Sequence, residues 1–314
     1  MRAAVILRMK RSARIYGLWQ ALNRTRIVRL LRRPRTSPRA LRRHARAALR
    51  EDRSYAGEGA HLRGVLERCG LDGGYVVDLA AGDGVTQSCT LFLFRDPRWR
   101  GLAVEMDERQ FQRLAFAYRQ FPNARVVRSR VSPDSVESVL GSQGAPPDFE
   151  VLNLDLDSYD LSIAEALLRS FRPLVVSMEI NEKVPPPVYF TVLYHPEHVW
   201  RGDHFYGCSL VAAAELLEAH GYVLESLHYN NAFFVRGDVA TGRFDGASVE
   251  DAYDRGYRRR PERREIFPWN HDVEDLQELP PEEVVRALHE RFRRYSGRFV
   301  AEVHPIDEGP RTSC

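Results

Sequence analysis

The segment NLDLDSYD, residues 153 to 160, carries two aspartates one position apart, Asp155 and Asp157. In an extended chain such residues point to the same side, so we expect both carboxylates to converge on one ligand at an open edge. Glu179 ends a second apolar run 24 residues after Asp155 and is expected nearby. Because buried acids without partners cost free energy, this pattern favours a chemical role.

Three roles remain open for these acids. Asp155 and Glu179 are candidate ligands of a metal ion, and hard oxygen ligands suit Mg²⁺ or Ca²⁺ better than zinc. Asp157 is the candidate base that takes a proton from a substrate hydroxyl. A structural alternative is that Asp157 or Asp160 caps the helix that starts near Leu161.

A second motif, YVVDLAAGDGVTQS, spans residues 75 to 88. It reads as a strand and a glycine loop, yet the third glycine of a dinucleotide fingerprint is replaced by Gln87, and the lysine of a P-loop is missing. Carboxylates without a phosphate cradle suit a nucleoside, with Glu105 at the end of the next strand facing the ribose. Alternatively, Gly82 and Gly84 only permit a tight turn, and Asp78 caps a helix.

Residues 184 to 209 form a third segment, rich in aromatic and histidine side chains. A long irregular loop of this composition predicts a lid over a substrate, with Trp200, His204 and Tyr206 available for stacking and hydrogen bonds. His204 is the competing candidate base. His195, His198 and His204 also suggest zinc, but the segment has no compact metal-binding spacing.

The elements that must position these residues alternate between strand and helix, which predicts a doubly wound α/β fold with a mostly parallel sheet. The turn Tyr229-Asn230-Asn231 predicts an antiparallel hairpin at its edge. The predicted strands are 75–79, 101–105, 124–128, 149–154, 174–178, 222–228 and 232–236. The predicted helices are 61–69, 86–94, 108–119, 134–140, 161–170, 209–220 and 280–295.

Basic and acidic residues are unevenly distributed along the chain. Residues 1–50 hold 16 Lys and Arg and no acid, whereas the remainder has a net charge of −13. Ile15, Leu18, Trp19 and Leu22 recur at near-helical spacing, so this arm is either a basic amphipathic helix that contacts nucleic acid or an anionic membrane, or a self-packing extension. Four scattered cysteines and the lack of a long apolar run predict a soluble cytoplasmic protein.

The ordered motifs VVDLAAGDG, LAVEMD, VLNLDLDSYD and VVSMEIN resemble those of class I S-adenosylmethionine-dependent methyltransferases, in particular the FkbM-like group. The resemblance covers about residues 70–237 and implies a Rossmann-like, seven-stranded sheet with an antiparallel last hairpin. It implies that Asp78, Ala80, Gly82 and Gly84 line the methionine end of the donor, that Glu105 binds the ribose, and that Met106 lies against the adenine. Ala80 stands where many members carry glycine.

The pattern D-x-D-x-Y is also similar to that of metal-dependent sugar O-methyltransferases, which implies Mg²⁺ at Asp155 and a base at Asp157. This chain has Met178-Glu179-Ile180-Asn181 where that group carries an Asp-Asp pair. We therefore expect S-adenosylmethionine as cofactor, with Mg²⁺ as a second candidate.

The predicted organisation is a basic arm at 1–57, a methyltransferase domain at 58–240 and a C-terminal extension at 241–314, whose basic run 255–265 is expected at the solvated surface. The predicted helix at 280–295 packs on the main domain or on a second subunit. The expected reaction is O-methylation of a small molecule such as a sugar or secondary metabolite. Methylation of RNA or protein, and a non-catalytic nucleoside-binding scaffold, remain as alternatives.

Overall fold

The computed structural model describes residues 37–50 and 52–304, which form a three-layer α/β domain. Seven strands make one sheet in the order β3-β2-β1-β4-β5-β8-β7, and the first five of these are parallel. β8 runs antiparallel to both β5 and β7. The predicted fold, including the antiparallel last hairpin, is confirmed. The strands are β1 Gly74–Leu79, β2 Trp99–Glu105, β3 Ala124–Arg128, β4 Val151–Leu154, β5 Val175–Glu179, β6 Val188–Val192, β7 Tyr222–His228, β8 Asn231–Arg236 and β9 Phe299–Val303.

The central strands β4 and β5 are apolar runs in which every residue is buried, as expected for strands that helices cover on both faces. Their register places the strand ends beside one another: Leu79 is level with Val104 and Leu154, and Leu154 is level with Met178. The polar residues that follow these strands therefore meet at one edge of the sheet.

Helices flank the sheet, and most lie where the apolar periodicity predicts them. They are α1 Pro38–Arg50, α2 Glu58–Cys69, α3 Leu91–Arg95, α4 Glu108–Tyr118, α5 Val136–Ser142, α6 Asp160–Leu167, α7 Leu210–Ala219, α8 Gly237–Ala240, α9 Val249–Tyr253, α10 Arg263–Ile266 and α11 Pro281–Arg291. None of the helices in the described ranges is long and apolar enough to cross a membrane.

The helix predicted at 86–94 is wrong over its first half, because α3 begins only at Leu91. The preceding loop takes its hydrogen bonds from side chains. Asp83 Oδ1 accepts from the backbone N–H groups of Val85 and Thr86, at 3.0 and 2.7 Å. Gln87 has a φ of 63°, which interrupts any helix at that position.

The predicted irregular lid begins instead as a strand. β6 pairs antiparallel with β9 from the C-terminal extension and forms a separate two-stranded sheet. Long-range pairing of this kind leaves no local signal, which is why the sequence did not indicate it. Beyond β6 the segment has no regular element before α7, apart from an isolated bridge between Thr191 and Cys208.

The C-terminal extension is built into the domain. Tyr253, Tyr257 and Phe267 belong to the same hydrophobic cluster as the sheet. The basic run was expected to be solvated, and Arg255, Arg259 and Arg264 are exposed as predicted. The expectation is wrong for Tyr257, which is a core residue within the π-helix Asp254–Arg258, and for Arg263, which is buried with its guanidinium on Glu274 at 2.8 Å.

An aromatic cluster fixes the lid to the extension. Phe205 is fully buried and stacks on Tyr295 with ring centroids 3.9 Å apart, and it also contacts Phe292 and Phe299 edge-on. The predicted apolar face of α11 and the following turn, including Val284 and Leu288, is buried in this cluster. The helix therefore packs on its own chain.

We predict that Phe205→Ala lowers the free energy of unfolding by about 3–5 kcal/mol, because a large aromatic side chain leaves a closed cluster. Urea denaturation measures the change. Leu193→Ala, at a lid position that is 40% exposed, is the matched control and should change stability by less than about 0.5 kcal/mol. Equal effects of the two substitutions would contradict the anchoring of the lid through Phe205.

Candidate functional site

Two cavities meet at the carboxyl edge of the sheet. The first, here called the glycine-loop cavity, has a volume of ≈ 280 Å³. Its wall includes Ala80 and Gly82 after β1, Glu105 and Met106 at the end of β2, and the stretch 155–159 after β4. The lid closes it with residues 198–200. Of the six predicted nucleoside-binding residues, the structure thus brings four to one cavity.

Glu105 joins two of these loops. Its Oε2 accepts from Gly82 N–H at 2.8 Å, and its Oε1 accepts from Asp107 N–H at 2.6 Å. Burial raises the pKa of this carboxyl. Each carboxylate oxygen has a second lone pair, so Glu105 can hold the loops and still accept a hydrogen bond from a ligand hydroxyl.

Asp78 and Gly84 lie behind the cavity wall. Asp78 is buried, and its carboxylate accepts from Thr90 Oγ1 at 2.6 Å and from Asn153 Nδ2 at 2.9 Å. Burial raises its pKa to about 6. Gly84 packs against α4, where a Cβ would lie 2.5 Å from Leu114 Cδ1. These two residues support the loop from inside the core.

Three acids, Asp155, Asp157 and Glu179, form the carboxylate cluster, in which one oxygen of each lies within 4.8 Å of the others. They converge for a different reason than predicted: β4 ends at Leu154, and a φ of 54° at Asp157 turns the chain. Asp160 caps the turn by accepting from Leu156 N–H at 2.7 Å and Ser158 N–H at 3.0 Å. The helix-capping alternative is wrong, because Tyr159 occupies the N-cap of α6 without a side-chain capping bond, and Asp160 holds the turn that precedes the helix.

Glu179 is the buried member of the cluster. Its Oε1 accepts from Asn230 Nδ2 at 2.8 Å, whereas its Oε2 is buried and accepts from no N–H group among the described residues, so that only a proton shared with Asp155 can satisfy it within the protein. Burial raises the pKa of this carboxyl well above its usual range, and the charges of Asp155 and Asp157 raise it further. A buried acceptor without a partner is costly, so this oxygen is suited to a cation or a ligand donor.

The second cavity, here called the aromatic cavity, has a volume of ≈ 220 Å³ and shares Asp155, Asp157 and Trp200 with the first. One wall holds Tyr55, Phe267 and Trp269, with the Phe267 and Trp269 ring centroids 5.5 Å apart. Trp200 and Tyr206 of the lid also line the cavity, together with the carboxylate cluster, and their ring centroids are 6.2 Å apart. Flat aromatic surfaces beside carboxylates suit a ring that carries hydroxyl groups.

Acidic side chains predominate among the charged residues that line the aromatic cavity. Glu58 also lines it, and burial together with the charge of Asp155 raises the pKa of Glu58. The buried Lys183 also lines it, but its Nζ donates to both oxygens of Glu182 at 3.0 Å and to Tyr206 Oη at 2.5 Å. All three donors of this ammonium are used by Glu182 and Tyr206, so Lys183 forms no ion pair with the carboxylate cluster.

His204 lines the aromatic cavity and is oriented by an acid that the sequence did not indicate. Its Nε2 donates to Asp272 Oδ1 at 3.0 Å. Burial acts to raise the pKa of Asp272, but the hydrogen bond and charge of His204 outweigh it and lower that pKa. An imidazole held by a carboxylate is the arrangement of a general base.

The histidines of the lid do not form a metal site. Within the described parts of the chain, the carboxylate cluster is the group of three side chains placed to hold a metal ion. His198 lies at the glycine-loop cavity, and His195 accepts from Glu197 N–H at 3.2 Å.

Further residues of the aromatic cavity come from segments for which sequence reasoning gave no role. They are Tyr55, Glu58, Asn230, Phe267 and Trp269. An Asn-rich hairpin turn and aromatic residues after a basic run were the available signals.

Neither a family model nor a curated protein matches this sequence. Solved structures with a similar fold include the N-terminal domain of EvdMO1 in the presence of SAH and D-fucose, at 14% identity over 64% of this chain and 96% of that chain, with a TM-score of 0.40. A putative O-methyltransferase from Klebsiella pneumoniae is 15% identical over 70% of this chain and 98% of its own, with a TM-score of 0.39. An S-adenosylmethionine-dependent methyltransferase from Clostridium acetobutylicum ATCC 824 is 10% identical over 59% of this chain and 92% of its own, with a TM-score of 0.39. Because these identities and TM-scores are low, the candidate site is inferred from the geometry of this chain alone.

We predict that Gly84→Ala destabilises the protein more than Gly82→Ala does. Both glycines have positive φ, but a Cβ at Gly84 would overlap Leu114 and Tyr118, whereas a Cβ at Gly82 has no atom within 4 Å. Gly84→Ala should lower the free energy of unfolding by about 1–3 kcal/mol more than Gly82→Ala does. Thermal unfolding of the two variants side by side provides the measurement, and equal losses of stability would rule out the packing role of Gly84.

Proposed function

We propose that this protein is a S-adenosylmethionine-dependent methyltransferase that transfers a methyl group to a hydroxyl of a small molecule. The observation that carries the proposal is the junction of two cavities at Asp155 and Asp157. One cavity suits a nucleoside donor and the other a polar ring. A methyl group transferred between them has to pass this pair of carboxylates.

The glycine-loop cavity is the proposed donor site. Glu105 would accept hydrogen bonds from the ribose hydroxyls, and Met106, which is 48% exposed at the rim, would contact the adenine. Ala80 and Gly82 would let the backbone approach the methionine part closely. Negative charge at Asp155 and Asp157 complements the sulfonium.

The aromatic cavity is the proposed acceptor site. Trp200 and Trp269 offer faces for stacking, and Glu58 and Asn230 offer hydrogen-bond partners for hydroxyls. The cavity volume of ≈ 220 Å³ favours a small acceptor such as a sugar or a secondary metabolite over RNA or protein.

The carboxylate cluster also suits a divalent cation such as Mg²⁺. Three carboxylates within reach of one another, with the unpaired Oε2 of Glu179 among their oxygens, make an all-oxygen donor set of the kind that hard cations prefer. Asp155 and Glu179 would hold the ion, which when bound lowers the pKa of a coordinated hydroxyl.

The reaction needs alignment and a base. As the acceptor oxygen forms its bond to the methyl carbon, the carbon–sulfur bond breaks, and S-adenosylhomocysteine leaves with the electron pair. Asp157 is the proposed base, because it lies at both cavities and can take the hydroxyl proton. His204, oriented by Asp272, is the second candidate because it faces the acceptor cavity.

We predict that Asp157→Asn lowers kcat by about two to four orders of magnitude and leaves donor affinity nearly unchanged, because it removes a positioned base without changing the side-chain shape. The measurement is transfer of a labelled methyl group to a panel of hydroxylated rings, read by mass spectrometry. Calorimetry with S-adenosylhomocysteine checks the donor site in the same samples.

His204→Gln serves as the matched variant. Full activity of Asp157→Asn together with a loss in His204→Gln would assign the base to the lid. Activity that is unchanged by a chelator such as EDTA would contradict the metal proposal. Donor binding without methyl transfer to any acceptor in the panel would favour the scaffold alternative.

A further inference from the structure

A row of five arginines lies along the outer face of α1. This arginine stripe consists of Arg39, Arg42, Arg43, Arg46 and Arg50, and all five side chains are exposed. At 3.6 residues per turn these positions fall within about 100° of the helix circumference and extend over about 16 Å. The charges therefore form one straight, narrow surface.

The opposite face of α1 is fixed to the domain. Ala47 and Ala48 are buried, and Gln120 Nε2 after α4 donates to Ala45 O at 2.9 Å. His44 Nε2 donates to Asp83 O at 2.8 Å, which ties the helix to the glycine loop. The arginine stripe is thus held outward by packing and cannot turn towards the protein.

The stripe has no acidic counterpart within residues 37–50 and 52–304, where none of its five guanidinium groups forms a salt bridge or a side-chain hydrogen bond. Several exposed arginines elsewhere on the surface are paired, as Arg255 is with Asp251 and Arg259 is with Asp254. Like charges three and four residues apart on a helix repel one another, so this arrangement costs stability unless an external anion compensates it.

The sequence before α1 extends this charge. Residues 1–36, which lie outside the described part of the chain, contain 11 basic and no acidic residues. Leu49, next to the stripe, is 54% exposed. A row of cations with apolar side chains at its edge matches the interface of an anionic bilayer, where arginines pair with lipid headgroups and apolar groups enter the acyl boundary.

Single-stranded nucleic acid is the less favoured partner, because aromatic side chains usually stack on its bases. The large apolar side chains exposed in the described part of the chain are Leu49, Met106, Leu193, Val199 and Val303, and none of them is aromatic. We propose that the arginine stripe docks this protein on the surface of an anionic lipid membrane. This inference is independent of the methyl-transfer proposal.

The test compares two triple variants of the full chain that remove equal charge. Arg39→Gln, Arg43→Gln and Arg46→Gln together remove three of the five charges of the stripe. Arg255→Gln, Arg259→Gln and Arg286→Gln together are the control, at side chains that are 80%, 78% and 75% exposed. Binding is measured by co-sedimentation with phosphatidylcholine vesicles that contain about one third phosphatidylglycerol, at about 0.1 M NaCl.

The stripe variant should partition to these vesicles about 100-fold more weakly than the unchanged chain, since each basic residue at such a surface contributes about fivefold. The control variant should bind as the unchanged chain does, and pure phosphatidylcholine should bind neither. Equal losses in both variants would contradict a specific docking surface. Stripe-dependent binding to single-stranded RNA that is tighter than binding to the vesicles would overturn the membrane assignment.

Discussion

Mutual repulsion of three carboxylates at one edge of the sheet is the constraint that organises this structure. One oxygen of each of Asp155, Asp157 and Glu179 lies within 4.8 Å of the others, where two ionised carboxylates would repel by about 3.5 kcal/mol at an effective dielectric constant of about 20. Burial and this repulsion together raise the pKa of Glu179. The only hydrogen bond that the described residues give to Glu179 Oε1 comes from Asn230. The nearest buried ammonium, on Lys183, is occupied by Glu182 and Tyr206. The protein thus maintains a centre that a cationic ligand would stabilise.

The other elements of the fold shape the two cavities that adjoin the carboxylate cluster. Glu105 holds the glycine loop to the end of β2 and so shapes the cavity on one side. On the other side, the lid is pinned by Phe205 in its aromatic cluster and by the pairing of β6 with β9. The C-terminal extension therefore has two effects, since it supports the lid and also supplies Phe267 and Trp269 to the wall.

Local patterns predicted the fold and the residues that line the glycine-loop cavity. Apolar runs indicated the strands of the main sheet, and polar residues directly after them indicated where ligands meet it. Ala80, Gly82, Glu105 and Met106 follow two such strands, and they lie on the same cavity wall. Asp78 and Gly84 occupy the same motif but face the core, because a motif does not specify which of its residues a neighbouring helix covers.

The aromatic cavity could largely not be predicted from the sequence. Phe267, Trp269 and Asp272 are separated from the carboxylate cluster by about ninety or more residues, and their approach depends on packing of Tyr253 and Tyr257 against the sheet. The strand β6 has its partner more than one hundred residues away. The sequence predicted that α3 begins too early, at residue 86. Asp83 instead accepts hydrogen bonds from the backbone N–H groups of Val85 and Thr86, which holds this segment in a loop.

The central claim is that the glycine-loop cavity holds the methyl donor with its sulfur towards Asp155 and Asp157. A crystal structure of the protein with S-adenosylhomocysteine tests it most directly. The account predicts ribose hydroxyls on Glu105, adenine beside Met106 and the sulfur atom at the junction of the two cavities. A nucleoside bound elsewhere, or no binding at saturating ligand, would contradict it.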